Sequence, residues 1–346
     1  MIGRCKYNVT ICFYYYFQKA TDMICIGIAS KLTSGLALLM AATASAQSFP
    51  LGQLTMVIPA SAGGGADVLG RAIAQKLHEA WGQPLIVDNR SGANGAIGTA
   101  QVARAAPDGH TLLVVPGGLA VNPAIRKDLP YDTLKDLAPV TQLASSPLVL
   151  VVHPSFPAHT VKELMAVLKA RPGEVNYGTS GNGSPPHLAA ELFRLLSGTK
   201  INHVPYKGAP PAAVDLIAGQ IQMYFMASLQ SVQYVRSGQV RALAVTSATR
   251  AAVLPHLPTL AEAGVSGYDL THWYGLLVRG GTPQAAINKL HAEMSRILKL
   301  PDIEKRLANE GATPVGSTPE QFTAFLAGEM KKAAQIVKAT GMTASN

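Results

Sequence analysis

Residues 54–88 read LTMVIPASAGGGADVLGRAIAQKLHEAWGQPLIVD. A short apolar run, Leu54 to Ile58, ends at a proline. Apolar positions then follow helical spacing from Gly65 to Trp81, and a second short apolar run, PLIVD, occupies 84–88. Strand, helix and strand in that order form a βαβ unit, which calls for a parallel pair with the helix packed on the sheet face.

The same alternation continues toward the C-terminus. A helix is expected from about Gly95 to Ala105 and a strand over TLLVV (111–115). A second series begins at PLVLVV (147–152). It runs through a helix over Val161–Ala170, VNYG (175–178), a helix from Pro185 to Leu196, INHV (201–204), a helix over Pro211–Ala218 and IQMYF (221–225). The run VRALAVTS (240–247) then leads the chain away. Two doubly wound α/β lobes with a mostly parallel sheet are therefore expected. The apolar connectors near 147–152 and 240–247 are read as paired crossovers. Lobe 1 is assigned to 47–148 plus 246–346 and lobe 2 to 149–245. Near the C-terminus, Thr282-Pro283 and Thr318-Pro319-Glu320-Gln321 place a hydroxyl at an N-cap and proline at the first helical position, the second with a capping-box glutamine.

The N-terminal segment reads differently. KLTSGLALLMAATASAQ (31–47) has a basic residue, a short apolar core and the small triplet Ala44-Ser45-Ala46, the pattern of a secretory signal cleaved before Gln47. Residues 1–22 do not fit a signal n-region, so translation from Met23 is an alternative to Met1. No later run reaches the about 20 apolar residues of a membrane span. The mature chain is expected to be periplasmic. All three cysteines, Cys5, Cys12 and Cys25, fall in residues 1–46, so neither disulfides nor thiolate chemistry is expected after cleavage.

Of the 346 residues, 48% are apolar and 14% charged, which excludes a disordered chain. The formal net charge of +9 loses four positive charges (Arg4, Lys6, Lys19 and Lys31) and one negative (Asp22) with residues 1–46 and falls to +6. This modest excess favours an anionic ligand or surface as readily as it suits a basic exported protein. No basic run with interleaved aromatics points to nucleic acid. The nine histidines show no HExxH or other metal spacing, and Gly178-Thr179-Ser180-Gly181-Asn182 is not a GxSxG elbow. No enzyme, cofactor or metal is expected; a secreted hydrolase with His187 as base near Ser180 is the weakest alternative.

Ligands of open parallel sheets bind beyond the carboxyl ends of the strands, at helix N-termini. Three loops sit there. In PASAGGGAD (59–67), Ser61, Ala62, Gly63, Gly64 and Gly65 expose backbone donors that either cradle an anion or make a tight turn. Asp67 suits the first turn of the helix as well as it suits a ligand. In GTSGNGSPPHL (178–188), Ser180, Asn182 and Gly183 precede Ser184, the expected cap of a helix beginning at Pro185, while His187 is a ring beside the loop. In VPYKGAPP (204–211), Tyr206, Lys207 and Gly208 precede another helix, Lys207 being either a carboxylate partner or a solvated side chain.

Together with GQPLIVDNRSGANGAIG, LPYDTLKDLAPV, HVPYKGAPPAAVDLIAGQI and WYGLLVRGGTP, these stretches resemble the Bug or TctC-like receptors of tripartite tricarboxylate transporters over residues 49–342. The resemblance implies a type II periplasmic-binding-protein fold, two lobes with a ligand cleft between them, and no catalysis. It assigns carboxylate contacts to Ala62, Gly63, Gly64, Ser180, Asn182, Ser184 and Gly208, and a fourth loop to VPGGLAVNP (115–123) with Gly117 and Gly118. Its partners would be a small carboxylate and a membrane permease, with the receptor monomeric; a ligand sensor for a signalling partner would share every pocket residue. Ala60, Ala62, Gly118-Leu119 and Met226-Ala227 depart from the family's pattern by losing polar or bulky groups. They lead to an expected roomy, apolar far end suited to an aromatic or branched monocarboxylate.

Overall fold

The structure is a computed structural model and describes residues 49–344. The expected signal peptide, the alternative start and the three cysteines lie outside the described residues.

Strands β1 (Leu54–Ile58), β2 (Leu85–Asn89) and β3 (Thr111–Pro116) are parallel neighbours with β1 in the middle. Helix α1 (Gly65–Trp81) joins β1 to β2, α2 (Ala96–Ala103) precedes β3, and α3 (Gly118–Ile125) follows it. The chain then enters β4 (Leu137–Val152), whose first part pairs with a later strand and whose last five residues, Leu148 to Val152, pair antiparallel with β7 (Met223–Ala227). Between them come α4 (Val161–Ala170), β5 (Asn176–Thr179), α5 (Pro185–Ser197), β6 (Asn202–Pro205) and α6 (Ala209–Ile217). Strand β5 pairs parallel with both β6 and β7. After α7 (Ser228–Arg236), β8 (Arg241–Val245) returns antiparallel to the end of β4.

The sheet is closed by β9 (Thr271–Arg279), which lies antiparallel between β3 and β4. The order is β2-β1-β3-β9-β4-β7-β5-β6. The expectation of a mostly parallel sheet is thus met only at its two flanks; the centre is antiparallel. The sequence hid this because THWYGLLVR is buried along nearly its whole length and shows no alternation of faces. The first part of β4 was hidden for the opposite reason. LAPVTQLASS mixes Thr, Gln, Ser and a proline into a stretch that pairs throughout with β9, with bulges between Pro139 and Thr141 and between Gln142 and Ala144.

Helices α8 (Gln284–Leu298) and α9 (Pro301–Asn309) and the short β10 (Thr313–Pro314) lead to α10 (Pro319–Thr340). At α10 the capping box forms: Gln321 N–H donates to Thr318 Oγ1 at 3.2 Å and Thr318 N–H to Gln321 Oε1 at 3.0 Å. The expected cap at Thr282 does not. Helix α8 starts one residue later, and the Thr282 hydroxyl turns back to donate to the Arg279 carbonyl at 2.7 Å.

One core packs Val57, Val115, Trp273 and Leu277 against Phe322 and Leu326 at the start of α10. Farther along the same helix, Ala333, Ile336 and Val337 join a second core with Leu150, Tyr177, Phe193 and Phe225. Helix α10 therefore ties the β9 side of the sheet to the β5 side. Among the described residues no helix is long and apolar enough to cross a membrane.

Gly275 of β9 leaves room for the Phe322 ring, which occupies the space that a Cβ there would need. Gly275→Ala is expected to destabilise the fold by about 1–3 kcal/mol through overpacking. Gly328→Ala, within α10 where nothing lies within 4 Å of the added carbon, is expected to be neutral or stabilising. Urea unfolding of both variants checks the pair.

Candidate functional site

The loops at the carboxyl ends of β1, β2, β5 and β6 line one cavity of about 610 Å³. Its depth is closed by Tyr224 and Ala227 of β7, Gln230 of α7 and His272 and Tyr274 of β9. This is the volume of a small-molecule site.

In the first loop, Asp67 is only 4% exposed and works inside the fold. It accepts from Gly63 N–H at 2.9 Å, Arg71 Nε at 2.9 Å and Asn89 Nδ2 at 3.0 Å. Burial alone would raise its pKa, but these hydrogen bonds outweigh it and hold the carboxyl below its ordinary value. Gly64 N–H donates to the Ser61 carbonyl, while the Asp67 and Val68 amides both donate to the Gly64 carbonyl. The amides left over at the start of α1 are Gly65 and Ala66, and both residues line the cavity. Gly65 must be glycine here, since a Cβ would strike the Tyr274 hydroxyl.

The second loop works differently from a bare helix mouth. Pro185 and Pro186 fill the first two positions of α5 and remove their N–H groups. Gly181 N–H donates to Thr179 Oγ1 at 3.2 Å and Gly183 N–H to His187 Nδ1 at 3.1 Å, so both turn away from the cavity side chains. On the lining stand Ser180, Asn182, whose Nδ2 donates to the Ala344 carbonyl at 3.0 Å, and Ser184, whose buried hydroxyl has no protein partner. In the third loop Gly208, at φ 119°, precedes Ala209, and the prolines 210 and 211 again leave few competing amides.

Two hydrogen bonds join loops from opposite flanks of the sheet. Ser61 Oγ donates to the Lys207 carbonyl at 3.1 Å, and Asn94 Nδ2 to the Gly183 carbonyl at 2.8 Å. Asn94 and its neighbour Ala93 are the described non-glycine residues with positive φ, at 53° and 49°. The reciprocal bonds between Asn94 and Asn122, at 2.9 and 3.1 Å, hold that uncommon conformation.

The lining carries Arg126 and Lys207 and no Asp or Glu. Several buried polar atoms without protein partners also belong to it: Arg126 Nε, Asn182 Oδ1, Ser184 Oγ, Tyr224 Oη, Gln230 Oε1 and His272 Nδ1. Unsatisfied buried polar atoms are rare in native folds, and their concentration here marks a place for a polar guest. Burial drives His272 down to about 3, so its ring is neutral.

Of the residues singled out from the sequence, Ser61, Gly64, Gly65, Ser180, Asn182, Ser184, Tyr206, Lys207 and Gly208 converge on this lining. Tyr206 is tethered by its hydroxyl to Asp215 Oδ2 at 2.7 Å. Ala62 and Gly63 are exposed beyond the lining, and Asp67 is spent on the loop itself. Gly117 and Gly118 sit behind the wall, Gly118 against the Asn94 amide. Gly183 belongs to the second loop but not to the lining, its amide turned down to His187 beneath the loop, and Met226 is fully buried in the core between β4 and α7. Beside the expected apolar far end the cavity also carries Tyr224, Gln230, His272 and Tyr274, which supply polar atoms that Met226 and Leu119 do not. Gln230, His272 and Tyr274 were missed because helix α7 and strand β9 were missed. Tyr224 lies on the expected strand IQMYF, whose local pattern does not show that it lines a cavity. Arg126 was missed because it follows a helix that the sequence did not reveal.

Residues 69–342 match the family described as tripartite tricarboxylate transporter family receptor. The chain belongs to that family. It is 38% identical over 304 residues to Protein BugT of Bordetella pertussis, covering 87% of this chain and 93% of that one. A solved structure described as R. palustris Rpa4515 with adipate shares 34% identity at a TM-score of 0.83, covering 86% of this chain and 99% of that one. MatC of Rhodopseudomonas palustris with bound malate shares 31% at 0.79, covering 84% and 100%. The receptor therefore has the two-lobed α/β binding-protein fold of its neighbours, and its family is one of receptors, not enzymes.

Three of the receptor's histidines, His187, His203 and His272, are held neutral by burial, at about 3, about 4 and about 3. Unfolded, each titrates near 6.5, so below that pH the unfolded chain binds more protons and stability falls as pH falls. The loss is expected to begin below about pH 6.5 and to continue to the folded values; Glu310 and Glu329, raised by burial, oppose it only nearer the carboxylate range. Each fully buried ring adds up to about 1.4 kcal/mol per pH unit to the slope. Urea midpoints between pH 7 and 5 are expected to drop, with a shallower slope in His272→Gln.

Proposed function

We propose that the receptor is periplasmic and monomeric, captures a small carboxylate by closing its two lobes on it, and presents the closed form to a membrane permease of the tripartite tricarboxylate type. The observation that carries this reading is the cavity's makeup: free amides at the start of α1, the Asn182 and Ser184 groups and the Gly208 turn share one lining that has two cations and no carboxylate. Each hydrogen bond to a charged group contributes about 1.5–3 kcal/mol, so three or four sustain micromolar affinity after association costs. Closure is then favoured by the guest's preference for the state in which both sets of donors meet.

The far end selects the rest of the molecule. Tyr224, Gln230 and the neutral His272 offer hydrogen bonds there, and Arg126, whose Nε is buried, lines the same cavity as a cation. A carboxylate with a polar or second acidic end fits this better than the aromatic or branched monocarboxylate expected from the loop substitutions. Adipate and malate, found with relatives, are the first candidates.

Calorimetry with adipate, malate and benzoate is expected to show micromolar binding of at least one dicarboxylate and weaker benzoate binding. Gly65→Ala is expected to weaken that binding about tenfold or more by displacing Tyr274, the equivalent of at least about 1.4 kcal/mol. Absence of binding to any small carboxylate would refute the proposal, and tight benzoate binding without dicarboxylate binding would restore the apolar reading.

A further inference from the structure

Behind the second loop lies a cluster that the proposed binding step does not use. The rings of His187 on α5 and His203 on β6 stack with centroids 4.0 Å apart and planes 17° apart, and Tyr177 of β5 lies 5.0 Å from His203 at 18°. His187 is 3% exposed. Its Nδ1 accepts the Gly183 N–H at 3.1 Å. His203 Nε2 and the Thr179 hydroxyl share a hydrogen bond of 2.7 Å, and the same Thr179 oxygen accepts the Gly181 N–H at 3.2 Å.

The two imidazoles thus engage alternate amides of Ser180-Gly181-Asn182-Gly183-Ser184 from beneath, Gly183 directly and Gly181 through Thr179. Gly181 and Gly183 stand at φ 121° and 77°, a backbone that other residues rarely adopt. With those two amides tied down, Ser180, Asn182, whose Nδ2 is held by the Ala344 carbonyl at 3.0 Å, and the Ser184 hydroxyl are presented to the cavity. An acceptor at Nδ1 requires the proton of His187 to sit on Nε2. The surroundings enforce the uncharged ring. The nearby carboxylate, Glu191, is already engaged by the Tyr177 hydroxyl at 2.9 Å and by Arg194 at 2.8 Å, which leaves no counter-ion for an imidazolium.

We infer that His187 and His203 are positioning residues for ligand capture: a stacked pair that holds the Gly183 and Gly181 amides inward and thereby sets the 180–184 loop in its anion-receiving shape. The inference rests on that loop being part of the carboxylate site, as proposed above. A histidine that merely filled the core would be indifferent to which ring nitrogen carries its proton and to the loss of one acceptor.

The test uses the whole mature receptor in three forms: wild type, His187→Asn, whose side-chain oxygen stands close to where Nδ1 stood, and His187→Leu, which fills space without an acceptor. Long-range proton–nitrogen correlation in the wild type is expected to show His187 protonated on Nε2 alone. Amide exchange at Gly183 is expected to stay slow in wild type and His187→Asn and to quicken about tenfold or more in His187→Leu, the loss of one hydrogen bond. Adipate affinity is expected to fall about tenfold in His187→Leu and to stay within about threefold in His187→Asn. A proton on Nδ1, unchanged Gly183 exchange in His187→Leu, or an Asn variant as impaired as the Leu variant would each overturn the inference. If wild type binds neither adipate nor malate, the choice of ligand fails, while the tautomer and the Gly183 exchange still decide the role of the pair.

Discussion

A carboxylate that leaves water must be met by donors already in place, because desolvating it without compensation costs far more than any packing gain returns. That constraint organises the receptor. The first loop spends Asp67 on its own Gly63 amide so that the Gly65 and Ala66 amides stand free. The second loop spends its glycine amides on Thr179 and His187. Prolines at the starts of α5 and α6 delete donors that would otherwise face the cavity unpaired. What is left is a small set of groups with no protein partner, gathered in one lining free of carboxylates.

The sheet makes the gathering possible. Strand β4 continues from pairing with β9 to pairing with β7 and β8 without leaving the sheet, and α10 packs first on one core and then on the other. Loops from both flanks consequently meet over the central strands. Ser61 and Asn94 bridge to Lys207 and Gly183 there, so the loops of the two flanks are joined by hydrogen bonds of their own. Such bonds are individually modest, on the order of 1 kcal/mol.

The flanking βαβ units were legible because their strands are short, their helices are amphipathic and glycine marks their turns. Strand β1 and helix α1 fall where the pattern of 54–81 puts them. The central strands were not legible. β9 is buried almost throughout, so burial erased the alternation that identifies a strand, and β4 buries polar residues such as Thr141, whose hydroxyl donates to the Ser317 carbonyl at 2.7 Å rather than to water. The candidate site divides along the same line. The glycine-rich loops were readable from local chemistry, whereas Tyr224, Gln230, His272, Tyr274 and Arg126 reach the cavity only through tertiary packing. The role of Asp67 was also local, yet its choice between ligand and loop depended on Gly63 folding back onto it.

The central claim is that donors from both flanks of the sheet share one carboxylate. A crystal structure of the receptor grown with adipate tests it most directly. The account predicts one carboxylate within hydrogen-bonding distance of the Gly65 or Ala66 amide on one side and of Asn182, Ser184 or Gly208 on the other. An adipate held only by the side chains of Arg126 and Lys207, or touching loops from a single flank, would contradict it.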